Sequence, residues 1–179
     1  MRVRDHALIS TAGAALTTPF LGRGALGLWA GGVLIDTDHY VWFCLRHRRL
    51  SPTAAVRFFN QADPPQHPAT RALHAPLALL LVALLGLRQP RLLPVALGMG
   101  LHVALDARHV AHMDRARSAA LARDGRSCQA CGMAGPHITA HVRQQPGLLP
   151  SYRAENLISL CGPCHQAAHA RPRGPVRWI

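Results

Sequence analysis

The sequence predicts a mainly α-helical chain in two parts, an apolar helical bundle over residues 1–114 followed by a small cysteine-closed module over residues 115–179. Three observations carry that expectation. Alanine- and leucine-rich runs fill the first part, the composition turns to glycine, proline, cysteine and arginine near residue 114, and two C-x-x-C pairs fall in the second part. At 179 residues, 49% of them hydrophobic, the chain is long enough for one ordinary domain or two small ones.

In the first part, residues 7–21 and 24–35 are apolar, glycine-rich segments that lead into Asp36-Thr37-Asp38-His39. Ser51-Pro52-Thr53 is a helix start, a capping serine followed by proline, and its helix runs to about Gln61. After a loop holding Asp63-Pro64-Pro65 and Pro68, residues 70–87 form a strongly apolar helix closed by Arg88-Gln89-Pro90-Arg91. A second apolar helix covers residues 92–105, and the two pair as an antiparallel hairpin. The sixteen residues between Arg71 and Arg88 fall short of the roughly 20 that a membrane span needs, which favours buried helices. Residues 76–87 nevertheless hold no polar residue and need covering on every side, so membrane association is expected. Arginines flank nearly every apolar segment (Arg2, Arg4, Arg23, Arg46, Arg48, Arg49, Arg88, Arg91), so no orientation follows. No cleavable signal peptide is evident.

The formal charge is +12, from twenty basic residues, all arginine, against eight acidic ones. Guanidinium groups stay charged and grip phosphate bidentately, which favours DNA or an anionic membrane as partner; a coding bias toward arginine is the alternative. Residues 115–179 carry nine arginines against Asp124 and Glu155, so the charge gathers in the cysteine module.

Cys128/Cys131 and Cys161/Cys164 put two thiols on each of two glycine-bearing turns, and four thiolates suit tetrahedral structural Zn2+. Such a site supplies folding energy that a module of about fifty residues needs. Redox C-x-x-C pairs are the competing reading. Cys44 stands apart as a small core residue.

His141, Asn156, His165 and His169 lie among and after these cysteines. The stretches "ARDGRSCQACG" and "ENLISLCGPCHQAAH" make residues 121–170 resemble the HNH endonuclease superfamily, with its ββα-metal fold. The resemblance implies divalent-metal hydrolysis of DNA phosphodiesters. His141, at the end of a strand over residues 138–142, would be the general base, Asn156 the middle asparagine that ties the loop to the hairpin, and His165 a ligand of a catalytic Mg2+, Mn2+, Ni2+ or Zn2+. His169 is one helical turn beyond His165 and faces the same way, as a further ligand. Arg126, Arg143 and Arg153 would hold the nucleic-acid backbone. Many members carry aspartate or histidine just before the general base, and this chain has Ala140; Ala140→Asp is expected to restore a ligand. A zinc-stapled DNA-binding module without turnover is the alternative.

In the first part, Asp36, Asp38, His39, His74, His102 and Asp106 are ionisable groups in or beside apolar segments, where they cost energy unless paired or metal-bound. His109 continues the helical stripe of His102 and Asp106. His6, "GGVLIDTDHY", "RALHAPLALL" and "LGMGLHVALD" make residues 5–112 similar to the bacterial membrane-bound metal-dependent hydrolase family, which implies that these six residues form a second metal site. Histidines hydrogen-bonded in a packed core are the alternative. His47, His67 and His112 are expected to have no special role, and Trp29, Trp42 and Phe43 to be packing anchors.

The expected activity is therefore an HNH-type DNA endonuclease. A membrane-bound metal hydrolase with a non-catalytic zinc module is the competing class, and a zinc and DNA adaptor at the membrane is a third. The setting expected is bacterial, at the inner membrane or in the cytoplasm.

Overall fold

The computed structural model describes residues 3–59, 68–143 and 153–170. The expected proline loop around Asp63-Pro64-Pro65, the end of its preceding helix at Gln61, and His67 lie outside them. The chain is mainly helical, with one small two-stranded sheet, and divides into two compact units, Met1–Ala107 and Arg108–Ile179. The division falls inside a helix, a few residues before the change in composition.

The first unit opens with helix α1 (Val3–Leu21) packed against α2 (Gly24–Leu34). Gly22 makes the turn between them at φ +52°, a left-handed conformation that glycine adopts without a side-chain clash. Helix α1 starts earlier than the apolar run predicts, so His6 lies inside its first turns rather than before it. Helix α3 (Thr37–His47) ends on Arg48 at φ +50°. Helix α4 (Pro52–Phe59) begins as expected, with the Ser51 hydroxyl accepting the Ala54 N–H at 3.3 Å. Phe43, Phe58 and Trp42 pack α3 on α4, the anchoring role expected of Trp42 and Phe43.

The continuous helix expected over residues 70–87 is two pieces, a 3-10 turn over Pro68–Arg71 and helix α5 (Pro76–Arg88). Pro76 is the cause: proline disfavours helical ψ in the residue before it, and Ala75 is extended at ψ 140°. The segment Ala72–Ala75 is thereby free to carry His74 toward α3. Helix α6 (Leu93–Arg123) runs far past the expected end at residue 105. Beyond Pro94 in its first turn it contains no proline, and glycine next halts the chain at Gly125, φ +59°.

Helices α2 and α6 meet backbone to backbone. A Cβ at Gly31 would stand 2.1 Å from the Val95 carbonyl oxygen, and one at Gly98 would stand 2.1 Å from that of Leu28. This close approach brings the end of α2 beside His102. Covering on all sides, expected for α5, is not found: Leu77, Leu80, Leu81, Leu84, Leu85 and Leu87 are exposed. Among the described residues no helix is long and apolar enough to cross a membrane.

The second unit is built on strands β1 (Thr139–Val142) and β2 (Leu157–Leu160), antiparallel, with Ala140 opposite Ser159 and His141 opposite Ile158. Helix α7 (Gly162–Ala170) follows. Side chains alternate across a sheet. Ala140, Val142 and Leu157 pack with Ala116 and Ala120 of α6, whereas Ile158 and Leu160 pack with Cys128, Cys161 and Ala168 on the other face. Asp124, just past the end of α6, accepts the Ser159 N–H at 3.0 Å, and Arg123 reaches the carbonyls of Ala154 and Leu157, which ties the helix end to β2. The hydrogen bond from Arg123, with support from Ser159 against the cost of burial, holds Asp124 down at about 2.

Candidate metal centres

In the first unit, the six ionisable residues singled out in sequence meet in one polar cluster. Asp36 and Asp38 stand where α2 gives way to α3, His74 sits in the turn before α5, and His102 and Asp106 lie one turn apart on α6. His74 Nε2 is 3.3 Å from His102 Nε2 and 3.3 Å from Asp36 Oδ1, and His102 Nε2 is 3.5 Å from Asp36 Oδ1. Ligand atoms about 2.0–2.2 Å from a tetrahedral ion stand about 3.3–3.5 Å apart. The three donors thus match one triangular face of such a site.

The other ring nitrogens are held from behind. His102 Nδ1 faces the Gly32 carbonyl oxygen at 2.8 Å, and His74 Nδ1 faces Asp38 Oδ2 at 3.4 Å. Asp38 also accepts the Leu73 N–H at 3.0 Å and lies 2.7 Å from His39 Nδ1. With an ion on His74, His102 and Asp36, Asp38 would stand as an orienting carboxylate behind His74, an arrangement that metal-binding histidines usually have. Asp38, His39 and His74 remain close enough to form a set of their own.

His6 joins the cluster beyond the six expected residues. Its Nε2 is 3.0 Å from Asp106 Oδ1, its ring stacks on that of His102 at 3.8 Å, and His102 Nε2 is 3.6 Å from Asp106 Oδ2. Asp5 beside it is wholly buried, and among the described residues neither carboxylate oxygen has a hydrogen-bond partner, Arg4 Nε being 3.5 Å away. The sequence signal was an Asp-His pair at the mouth of an apolar run. His109 belongs to the other unit and to none of these ligand sets.

Charges here are strongly coupled. Burial works against ionisation of Asp36, but the His74 hydrogen bond and the nearby imidazoles bring it below the usual carboxylate range. Asp38 and Asp106 are lowered in the same way, by His39 and His74 and by His102 and His6 respectively. His74 is pushed up to about 9, because hydrogen bonds to Asp36 and Asp38 outweigh its burial.

In the second unit, the four cysteine sulfurs lie within 4.8 Å of one another. Cys131 Sγ is 3.7 Å from Cys161 Sγ, and sulfurs about 2.3 Å from a tetrahedral zinc stand about 3.8 Å apart. The arrangement is that of a metal site and is consistent with structural zinc. Gly132, at φ +77°, closes the first turn, with its N–H on the Cys128 carbonyl. Burial raises the Cys128 thiol, but N–H groups of Cys161, Ala130 and Cys131 bring it to about 6, whereas the hydrogen bond to Cys161 and burial push Cys164 up to about 12, so without a metal one thiol of the set gives up its proton well ahead of another.

Next to this staple stand three imidazoles. His165 and His169 follow Cys164 on α7 with their Nε2 atoms 3.2 Å apart, and the His141 ring centroid is 5.0 and 4.7 Å from theirs. One ring nitrogen from each lies within 4.8 Å of the others. Burial, helped by the two neighbouring rings, lowers His141 to about 4, leaving it neutral at pH 7 with a lone pair to offer. Asn156 sits at the hairpin closure, where its carbonyl oxygen accepts the Arg143 N–H at 2.8 Å. Arg126, Arg143 and Arg153 are all exposed.

Ala140 does not point into this cleft. It packs on the α6 face of the sheet with Ala116, Ala120 and Leu157, so the expectation that Ala140→Asp restores a metal ligand is corrected. No protein-family model, curated protein or solved structure matches the chain.

Proposed function

We propose that the second unit is a divalent-metal-dependent DNA phosphodiesterase of the HNH type. The observation that carries the reading is the convergence of His141, His165 and His169 beside the four-cysteine site. His165 and His169, with Nε2 atoms 3.2 Å apart, would hold a divalent ion, and His141 would offer a neutral imidazole beside them. An ion bound there supplies Lewis acidity toward a phosphodiester oxygen. Exposed Arg126, Arg143 and Arg153 bind flanking phosphates. The cysteine site keeps the strand of His141 and the helix of His165 in register.

The test is cleavage of supercoiled plasmid by the full chain with magnesium, manganese, nickel or zinc and with a chelator control. Cleavage that depends on metal and is lost in His165→Ala, with the cysteine-bound zinc retained, supports the reading. Failure of the parent to cut with any of these ions, or cutting by His165→Ala at the parent's rate, refutes it and leaves a zinc-stapled binding module.

A second reading has its own observation, the three 3.3–3.5 Å edges joining His74, His102 and Asp36. On that reading the first unit is a metal-dependent hydrolase. The exposed leucines of α5, with Arg88 and Arg91 after them, favour an anionic membrane surface as its setting. Hydrolysis of a small chromogenic phosphodiester separates the two: loss in His102→Ala assigns it to the first unit, and loss in His165→Ala to the second.

A further inference from the structure

Helices α1 and α2 leave a groove of about 640 Å3 between them, and none of its residues belongs to a metal cluster. That volume lies within the roughly 300–1,000 Å3 usual for small-molecule sites. On α1 the wall is Thr11, Ala14, Ala15 and Thr18, one face of the helix at its i, i+3, i+4, i+7 spacing, whose small side chains leave the space open. Ala25, Leu26 and Trp29 face them from α2.

The polar atoms along the walls are taken up within the protein. The Thr11 hydroxyl donates to the Ala7 carbonyl at 2.7 Å and accepts the Trp29 indole N–H at 3.1 Å, and the Thr18 hydroxyl donates to the Ala14 carbonyl at 2.8 Å. A ligand therefore meets methyl, methylene and indole surface. The exception is at one end, where Gly22 and Arg23 turn the chain into α2. Arg23 is exposed, and among the described residues no carboxylate pairs with it. Thr11 and Gly22 stand about 16 Å apart along α1, at ~1.5 Å per residue. A long apolar slot with a guanidinium at one end matches an acyl chain that carries an anionic head.

The residues around the groove favour a lipid of a bilayer over a free fatty acid. Leu16 and Phe20, one turn apart on α1, are 75% and 87% exposed, and Leu26 on the groove wall is 70% exposed. A single-chained ligand would leave them in water, whereas a two-chained lipid lays its second chain over them.

We propose that the groove between α1 and α2 seats one acyl chain of an anionic phospholipid, with the phosphate on Arg23. The site shares no residue with the exposed leucine face of α5, and it stands whichever unit carries catalysis.

The experiment is native mass spectrometry of the full chain released from nanodiscs of equal parts phosphatidylglycerol and phosphatidylcholine. The parent should retain one phosphatidylglycerol per chain. Arg23→Gln should weaken that binding about tenfold, the loss of one charge-assisted hydrogen-bonded contact. Ala15→Phe, which sets a ring in the groove, should abolish it with the helical circular dichroism unchanged. In a chain carrying Trp42→Phe and Trp178→Phe, bromine on the phosphatidylglycerol chains should quench Trp29, and Ala15→Phe should relieve the quenching. Equal retention of phosphatidylglycerol by the parent and Arg23→Gln overturns the proposal, as does a parent that holds phosphatidylcholine equally well. Dodecanoate bound as tightly as phosphatidylglycerol would give the groove to a free fatty acid and overturn it too. None of these readouts involves DNA cleavage or a metal, so the outcome is separate from that of the nuclease reading.

Discussion

Gly98→Ala tests how the first unit builds its cluster. The added Cβ would stand 2.1 Å from the Leu28 carbonyl oxygen and 2.9 Å from Gly32 N, whereas carbon–oxygen contacts settle near ~3.3 Å or more. Both obstacles are helix backbone, so relief requires α2 and α6 to part by about 1 Å, an overpacking that costs about 1–3 kcal/mol and more when backbone must move. For a unit of this size that amounts to a fall in melting temperature of roughly 10–20 °C at the upper end. The same movement lengthens the 2.8 Å contact of His102 Nδ1 with the Gly32 carbonyl and the 3.5 Å edge from His102 Nε2 to Asp36, so metal bound by the first unit should be lost first. Gly100, whose Cβ would meet nothing within 4 Å, is the control: Gly100→Ala should be neutral or stabilising by up to about 1 kcal/mol. Thermal melts followed by circular dichroism, with metal counts before and after, read both effects. A Gly98→Ala protein that melts and binds metal like Gly100→Ala refutes the close-packing argument.

Cys161→Ser should remove the cysteine-bound zinc and unfold β1, β2 and α7, measurable as one zinc equivalent lost and greater proteolysis after residue 123, with the first unit still folded. In metal-free protein, a His74 pKa near 9, above the unfolded value of about 6.5, means that its contribution to stability is fully present below pH 6.5 and disappears as pH rises to about 9. Denaturant titrations should record that decline, and His74→Ala should flatten it; metal affinity of the first unit should climb over the same range as the proton is displaced. Affinity for duplex DNA should fall steeply with salt, and Arg143→Ala and Arg153→Ala should each reduce the slope by about 1; an unchanged slope would remove those arginines from the interface.

Much of this was legible in local sequence. Ser51-Pro52 announced its helix, the two C-x-x-C pairs announced their site, and the i, i+4 spacing of His165 and His169 put both on one face of α7. Local pattern could not rank Asp36 above Asp38. Both are acids beside the same apolar run, and only the position of His74, set by the break that Pro76 imposes, puts Asp36 against its Nε2 and Asp38 against its Nδ1. Nothing local marks His6, because its partner Asp106 is a hundred residues away on α6. The orientation of Ala140 follows from strand alternation, which turns it to the α6 face when His141 faces the other way.

An anomalous difference map from crystals of the full chain, grown with zinc and a short phosphorothioate DNA duplex, tests the central claim most directly. The account predicts a peak among the four cysteine sulfurs and a second one about 2 Å from ring nitrogens of His165 and His169, with the His141 ring and a backbone phosphate beside the second. A map with the cysteine peak alone, or with DNA bound away from the three imidazoles, would contradict it.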